Sequence, residues 1–221
     1  MTTVYLPAGT DVAEMALFDV DALPQLLPRD VEDFDPLISQ GQLVRLPTGA
    51  DGGYLLKLFA DEAIPSALRQ YCLADDTLTG VFATSKGRIG FGGLESAYAQ
   101  FTPNANIRSD GVITAGRYAY TAYHTDFPDE LVIATLRVDR TGGERWLGHA
   151  PMFVTVSAAA VAFALLFARQ PVLAGVALVA GIVAGVLLRR LPSYRATVAR
   201  REEAQLAFPS IVVELRSWPA D

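Results

Sequence analysis

Two apolar runs near the C-terminus constrain this chain more than any other feature. From Trp146 to Ala168 there are 23 residues without Asp, Glu, Lys or Arg, and from Gln170 to Leu188 there are 19 more. A bilayer hydrocarbon core of about 30 Å is crossed by roughly 20 helical residues rising about 1.5 Å each. Each run is therefore long enough for one crossing. Neither carries the polar stripe of a helix on a soluble core, because Thr155, Ser157 and the alanines are scattered around all faces. The runs read as transmembrane helices over about 151–168 and 172–188.

Arg169-Gln170-Pro171 separates them. A charged side chain is costly at a bilayer centre, and a proline disfavours helix at the residue before it. A hairpin resolves both: Arg169 reaches headgroups at the turn, and Pro171 opens the second helix. Two crossings leave both chain ends on one side. Arg137, Arg140 and Arg145 precede the hairpin and Arg189, Arg190, Arg195, Arg200 and Arg201 follow it, against Arg169 alone at the turn. The positive-inside bias then puts both termini in the cytoplasm. The Ala-, Val- and Gly-rich runs and small size suggest a bacterial inner membrane. Small residues let helices approach closely in lipid, so Gly181 and Gly185, with Ala174 and Ala177, are expected to face the alanines from 158 to 164. The same glycines offer a route to a homo-oligomer.

Charge is concentrated elsewhere. The acidic excess behind the net charge of −6 lies before the hairpin, in clusters such as Asp30, Glu32, Asp33 and Asp35, then Asp75 and Asp76, and the arginines after it offset part of that excess. Such a surface is repelled by phosphate backbones, which argues against nucleic acid as a partner. The single cysteine, Cys72, rules out an intramolecular disulfide and fits a reducing compartment. The stretch from Met1 to Pro7 has neither a basic start nor an apolar core, so no cleaved secretory signal is expected.

Residues 1–145 read as a polar, mainly β domain, an antiparallel sheet, sandwich or small barrel, with α+β as the variant. Alternation marks strands at 42–46, 53–59, 79–84, 88–92 and 117–124, punctuated by Gly and Pro. Ser85-Lys86-Gly87 suits a tight hairpin between two of them. Helix is confined to about 64–72; the composition of Leu131–Val138 favours a strand despite the helix-start look of Asp126–Glu130. The hairpin unit covers 146–190. Residues 191–221 then supply a cytoplasmic helix and a strand over 210–218. A lone strand is unstable in water, so this one is expected to return to the N-terminal sheet.

The polar domain offers little chemistry. His124, with Asp126 two residues on, has the residue types of an oriented base, yet no nucleophile-elbow glycines accompany any serine, and Cys72 in Tyr-Cys-Leu reads as a packed thiol. His149 stands at the mouth of the first apolar run. The acidic residues at 30–35 lack the central glycine and terminal glutamate of a calcium loop, so a solvated loop is expected and no metal. Gly87, Gly90, Gly92 and Gly93 interleave β-type residues, which fits strand and bulge better than a nucleotide-binding turn. No cofactor site emerges. Aromatic residues do concentrate at Tyr98, Phe101, Tyr118, Tyr120 and Tyr123. Tyrosine is favoured at protein interfaces, so Tyr98, Tyr118, Tyr120 and Tyr123 are candidate partner-binding residues, with Tyr123 the most exposed; filling a sheet core is the competing role.

The expected function is a membrane-anchored, non-enzymatic binding or regulatory protein with a protein partner. Toxin neutralisation of the immunity type is one role that a small acidic protein suits. Two other classes stand beside it: an enzyme acting on a lipid or membrane-bound substrate through His124, and a subunit of a membrane complex.

Overall fold

A computed structural model describes residues 2–138 and 142–218. The chain divides into two compact units, Met1–Phe127 with Phe208–Asp221, and Pro128–Ala207. Among the described residues there are nine strands and six helices, so the whole chain is mixed α/β and the expected mainly-β class holds only for the first unit.

The first unit is a sandwich of two sheets. The larger sheet contains β1 (Thr2–Thr10), β4 (Gly52–Ala60), β5 (Cys72–Thr84), β8 (Gly116–Thr125) and β9 (Ile211–Ser217), in the order β1-β4-β9-β8-β5. The smaller contains β2 (Glu14–Asp19), β3 (Leu43–Pro47), β6 (Arg88–Gly93) and β7 (Arg108–Val112), in the order β3-β2-β6-β7. Period-2 alternation sends one face of each strand between the sheets. There Leu6, Leu17, Leu46, Leu58, Phe82, Phe91, Tyr118 and Val213 form one buried cluster. Each outer face is also covered locally. Phe18, Leu23, Phe34 and Leu43 pack under the segment that carries α1 (Asp35–Ser39). Phe59, Tyr123 and Val212 pack with Ile64 and Leu68, the latter from α2 (Ser66–Arg69).

The last strand occupies the middle of the larger sheet. β9 runs parallel to β4 and antiparallel to β8, with Leu58 opposite Val213 and Ala122 opposite the same residue on its other side. Its run Ile211-Val212-Val213 is buried on both faces, as an interior strand requires. Chain exit and re-entry lie side by side: Thr125 N–H donates to Ser210 O at 3.1 Å, and Ser210 N–H donates to Leu55 O at 2.9 Å. The Phe127 ring packs between Tyr71 and Phe208, with centroids 4.6 and 5.2 Å away. The second unit is thus an insertion between β8 and β9, beginning at 128 rather than at 146.

That unit is helical: α3 (Asp129–Val138), α4 (Gly142–Phe167), α5 (Pro171–Arg190) and α6 (Pro192–Gln205). Helix α3 replaces the strand expected at 131–138. Asp129 and Glu130 fill its first turn, where acidic groups favour a helix N-terminus. The expected boundary at 145 falls inside α4, which continues through Pro151. Arg140 lies outside the described residues, and of Arg137, Arg145 and Arg201 only the main chain is described. Helices α4 and α5 include two stretches long and apolar enough to cross a membrane, His149–Phe167 and Pro171–Arg190, of 19 and 20 residues. Between them Arg169 takes φ +57°, and Gln170 N–H donates back to Leu165 O at 2.9 Å, closing a Schellman-type cap without glycine.

Ser85-Lys86-Gly87 does not join two strands of one sheet, as expected, but carries the chain from the larger sheet to the smaller one. The cause is Asp19, which is fully buried: it accepts from Thr84 Oγ1 at 3.3 Å and from Ser85 N–H at 2.9 Å, tying the end of β5 to β2. Gly90 sits in β6 because a Cβ there would lie 2.2 Å from the Phe18 ring.

Candidate functional site

Strand β5 is irregular where it faces His124. Cys72 pairs with Thr125 and Thr77 with Tyr123, so Leu73–Asp76 stand opposite His124 alone. Thr77 Oγ1 donates to Ala74 O at 2.9 Å and so closes the bulged segment on itself. Asp76 reaches back to the bypassed residue, placing Oδ2 2.7 Å from His124 Nδ1. Both imidazole nitrogens are buried, and neither has an aligned hydrogen-bond partner among the described residues. The short approach is therefore an ion pair when the imidazole carries its second proton, not a well-directed hydrogen bond. Bulges of this kind occur at sheet edges and re-aim side chains, which here brings a carboxylate onto a histidine.

This is a different pair from His124 with Asp126. The Asp126 amide instead donates to Tyr71 O at 2.9 Å, at the start of the insertion. Cys72 shares a sheet face with Thr125 and Tyr123, opposite to that of His124, so alternation keeps thiol and imidazole apart. Its Sγ lies 3.7 Å from Leu68 O, and burial pushes the thiol above its ordinary range. A nucleophile, base and orienting group are not assembled from these residues. His149, on α4, is exposed.

The four tyrosines do not share one surface. Tyr118 is buried in the inter-sheet cluster, its hydroxyl donating to Thr114 O at 2.6 Å; Tyr120 is partly buried against the same cluster. Burial pushes both phenols upward. Tyr123 lies on the opposite face and is 7% exposed, which corrects the expectation that it is the exposed member. Its ring is covered by the Arg69 guanidinium, 4.1 Å from the centroid. Tyr98 is half-buried in the loop after β6, edge-on to Phe101 at 5.6 Å.

Sequence reasoning missed Arg108. It is 1% exposed, and its Nε and Nη2 donate to the two carboxylate oxygens of Asp110 at 2.8 and 3.2 Å. Its Nη1 donates to Ser96 O at 3.1 Å and Tyr98 O at 3.0 Å. A planar fork of donors suits such a node, which fixes the 94–101 loop onto β7. The signal present in the sequence was Arg-x-Asp at strand spacing. In the acidic loop, Asp33 accepts from the amides of Arg29 and Asp30 at 3.2 and 3.3 Å, acting as a local cap.

On the second unit, Gly181 and Gly185 face α4. A Cβ at Gly181 would lie 2.1 Å from Ala158 Cβ, and one at Gly185 would lie 2.9 Å from Thr155 Oγ1. Ala162 and Ala174 are buried on these helices as well.

No protein-family model matches this chain, and no curated protein matches it in sequence. Solved structures that resemble it weakly include the protein described as Crocagin biosynthetic gene J, with a TM-score of 0.40 and 16% identity over 56% of this chain and 75% of that one. ComJ, inhibitor of the DNA degrading activity of NucA, from Bacillus subtilis, has a TM-score of 0.31 and 14% identity over 57% of this chain and 82% of that one. At these values the likenesses decide neither the fold nor the function of this chain.

Proposed function

We propose that this chain is a membrane-anchored binding or regulatory protein whose β-sandwich recognises a protein partner. The observation that carries the reading is the outer surface of the helical hairpin. Glycine and alanine close α4 against α5, while Met152, Phe153, Phe163, Phe167, Val172 and Val179 are each more than 60% exposed. Apolar surface of this extent is costly in water and favourable in hydrocarbon. The spans are about 28 and 30 Å long at 1.5 Å per residue, which matches a bilayer core.

The anchor interrupts the sandwich between β8 and β9 rather than trailing from it. The positive-inside bias supports both termini in the cytoplasm of a bacterial inner-membrane protein. Neutralising a protein toxin is the finer reading within this class, and membership of a membrane complex is the neighbouring one.

Two measurements test the proposal. Cytoplasm-active and periplasm-active reporters fused in turn to each terminus are expected to report cytoplasm at both ends. Ends on opposite sides would overturn the hairpin, and both ends outside would overturn the orientation. Purification of the tagged chain from detergent-solubilised membranes at native expression is expected to yield one stoichiometric protein partner. Recovery of the chain alone would count against a binding role.

A further inference from the structure

We infer that the outer edge of β5 accepts an extended, basic segment of a partner protein as an added strand. This deepens the binding reading above and rests on it. Sheet edges expose unpaired amides and carbonyls and are ordinarily blunted. Within the sandwich unit, the other three edges are. On β1, Gly9 N–H donates to Ile107 O at 3.3 Å, and Ser109 Oγ of β7 donates to Pro7 O, which joins that edge to the neighbouring sheet. Strand β3 is five residues long, carries the charged Arg45 and ends in Pro47.

Strand β5 differs. Ala83 N–H donates outward, to Gly41 O at 2.8 Å, while its ladder partner Arg117 turns its carbonyl the other way, to Trp218 N–H at 2.8 Å. Ala83 and Arg117 are thus a non-hydrogen-bonded pair of the β5–β8 ladder. Main-chain direction alternates along a strand, so Val81, Thr79 and Thr77 also point their N–H and C=O groups away from β8. Gly41 covers Val81 O, close enough that a Cβ on Gly41 would be 2.8 Å from it. No hydrogen bond among the described residues reaches the outward main chain of Thr79, and Thr79 and Gly80 are exposed.

The surroundings select the occupant. Just before this edge, the bulge presents Asp75 and Asp76 in exposed positions together with Leu73, which is 41% exposed. Carboxylates here repel a second copy of the same edge and attract Lys or Arg on an incoming strand, and the exposed Leu73 adds an apolar contact nearby. Strand addition draws its affinity from main-chain bonds and its selectivity from alternate side chains, which Thr77 and Thr79 with the flanking acids supply.

The test uses the full chain in detergent micelles and two synthetic heptapeptides, one alternating lysine with valine and one alternating glutamate with valine. Amide exchange at Thr77 and Thr79 is expected to slow saturably with the basic peptide, by about tenfold at about ten times its dissociation constant. The acidic peptide is expected to leave it unchanged. Thr79→Pro removes an outward N–H and no bond to β8, a substitution an edge strand tolerates. It is expected to abolish the slowing at Thr77 while the amides of Tyr120 and Ala122, which face β5, keep their protection. No saturable slowing at millimolar peptide, equal slowing by the acidic peptide, or retained slowing in Thr79→Pro would each overturn strand addition. Slowing that depends on protein concentration without peptide would assign the edge to a second copy and overturn it too. The anchored binding reading stands or falls separately, on recovery of a stoichiometric partner.

Discussion

Asp76 closes back onto the one residue that its own strand bypasses, with Oδ2 2.7 Å from Nδ1 of His124. The carboxylate is about half exposed and the imidazole largely covered, so the pair is worth little in stability, about 0.2–1 kcal/mol. Its effect is local. Asp76→Ala and His124→Ala are each expected to speed amide exchange across 73–77, with the double variant no faster than either single one. Protection at Tyr120 and Ala122 should not move. Additive effects in that cycle would mean the two residues hold the bulge independently.

Arg108 makes a sharper demand. Lysine keeps the charge but has no planar fork, so Arg108→Lys loses the bidentate grip on Asp110 and leaves Ser96 O and Tyr98 O short of a donor. Buried groups left unpaired cost about 1–3 kcal/mol each. The variant is expected to be less stable by about 2 kcal/mol or more in denaturant unfolding of the sandwich. A loss below about 0.5 kcal/mol would show that the loop does not depend on the guanidinium.

These two sites mark the limit of what the sequence discloses. Strand β8 is legible because Tyr118, Tyr120 and Ala122 on its core face alternate with Arg117, Ala119 and Thr121 on a wetter one. Strand β2 is not: Met15 and Leu17 enter the inter-sheet core, Ala16 and Phe18 enter the outer cluster, and burial on both faces erases the alternation. Strand β1 carries Pro7 and Gly9, which interrupt a strand pattern, yet it lies at a sheet edge, where proline is tolerated. The His124–Asp76 approach depends on a register shift in β5, and Arg108 meets its carbonyls only once the 94–101 loop folds over. Neither contact has a local signature. Hydropathy over 149–190, by contrast, is a property of composition alone, and the helices α4 and α5 follow from it.

Two glycines of α5 give a matched test of the helix pair. Gly181 has Ala158 Cβ 2.1 Å from where its own Cβ would be, whereas nothing lies within 4 Å at Gly175. Gly181→Ala forces α4 and α5 apart and is expected to cost about 1–3 kcal/mol, read by SDS titration in mixed micelles. Gly175→Ala is expected to be neutral or slightly stabilising, since alanine is the better helix former. Equal effects would show that the two helices are not packed through Gly181.

Cys72 offers a probe of the outer face beneath α2. Its thiol is half-buried beside Leu68 and Tyr123 and held above its ordinary range by burial, so little thiolate is present near neutral pH. Labelling by a disulfide reagent at pH 8 is expected to be roughly tenfold or more slower in the folded chain than in denaturant. Leu68→Ala opens the cover and should restore much of the rate. Fast labelling of the intact chain would mean that α2 does not stay closed over the sheet.

Asp61 ties the end of β4 to the end of β9, the strand that follows the insertion. Its carboxylate accepts from Ser217 N–H at 2.7 Å and from Ser217 Oγ at 2.6 Å, and Asp61 N–H donates to Leu215 O at 2.9 Å. The two bonds from Ser217 hold the carboxyl below its usual range, the hydroxyl contributing most. A depressed folded-state value favours the ionised form of the native chain, so the contribution is fully present above the unfolded value near about pH 4. It is lost as pH falls through the lower, folded value. Asp61 is exposed, so screening keeps the effect small. Asn accepts one of these bonds, does not titrate and tolerates the left-handed φ of +53° at this position. Below about pH 4, unfolding midpoints of the native chain should therefore fall more steeply than those of Asp61→Asn, the two curves converging as acid removes the charge. Parallel curves throughout would show that the Ser217 bonds do not select the carboxylate form.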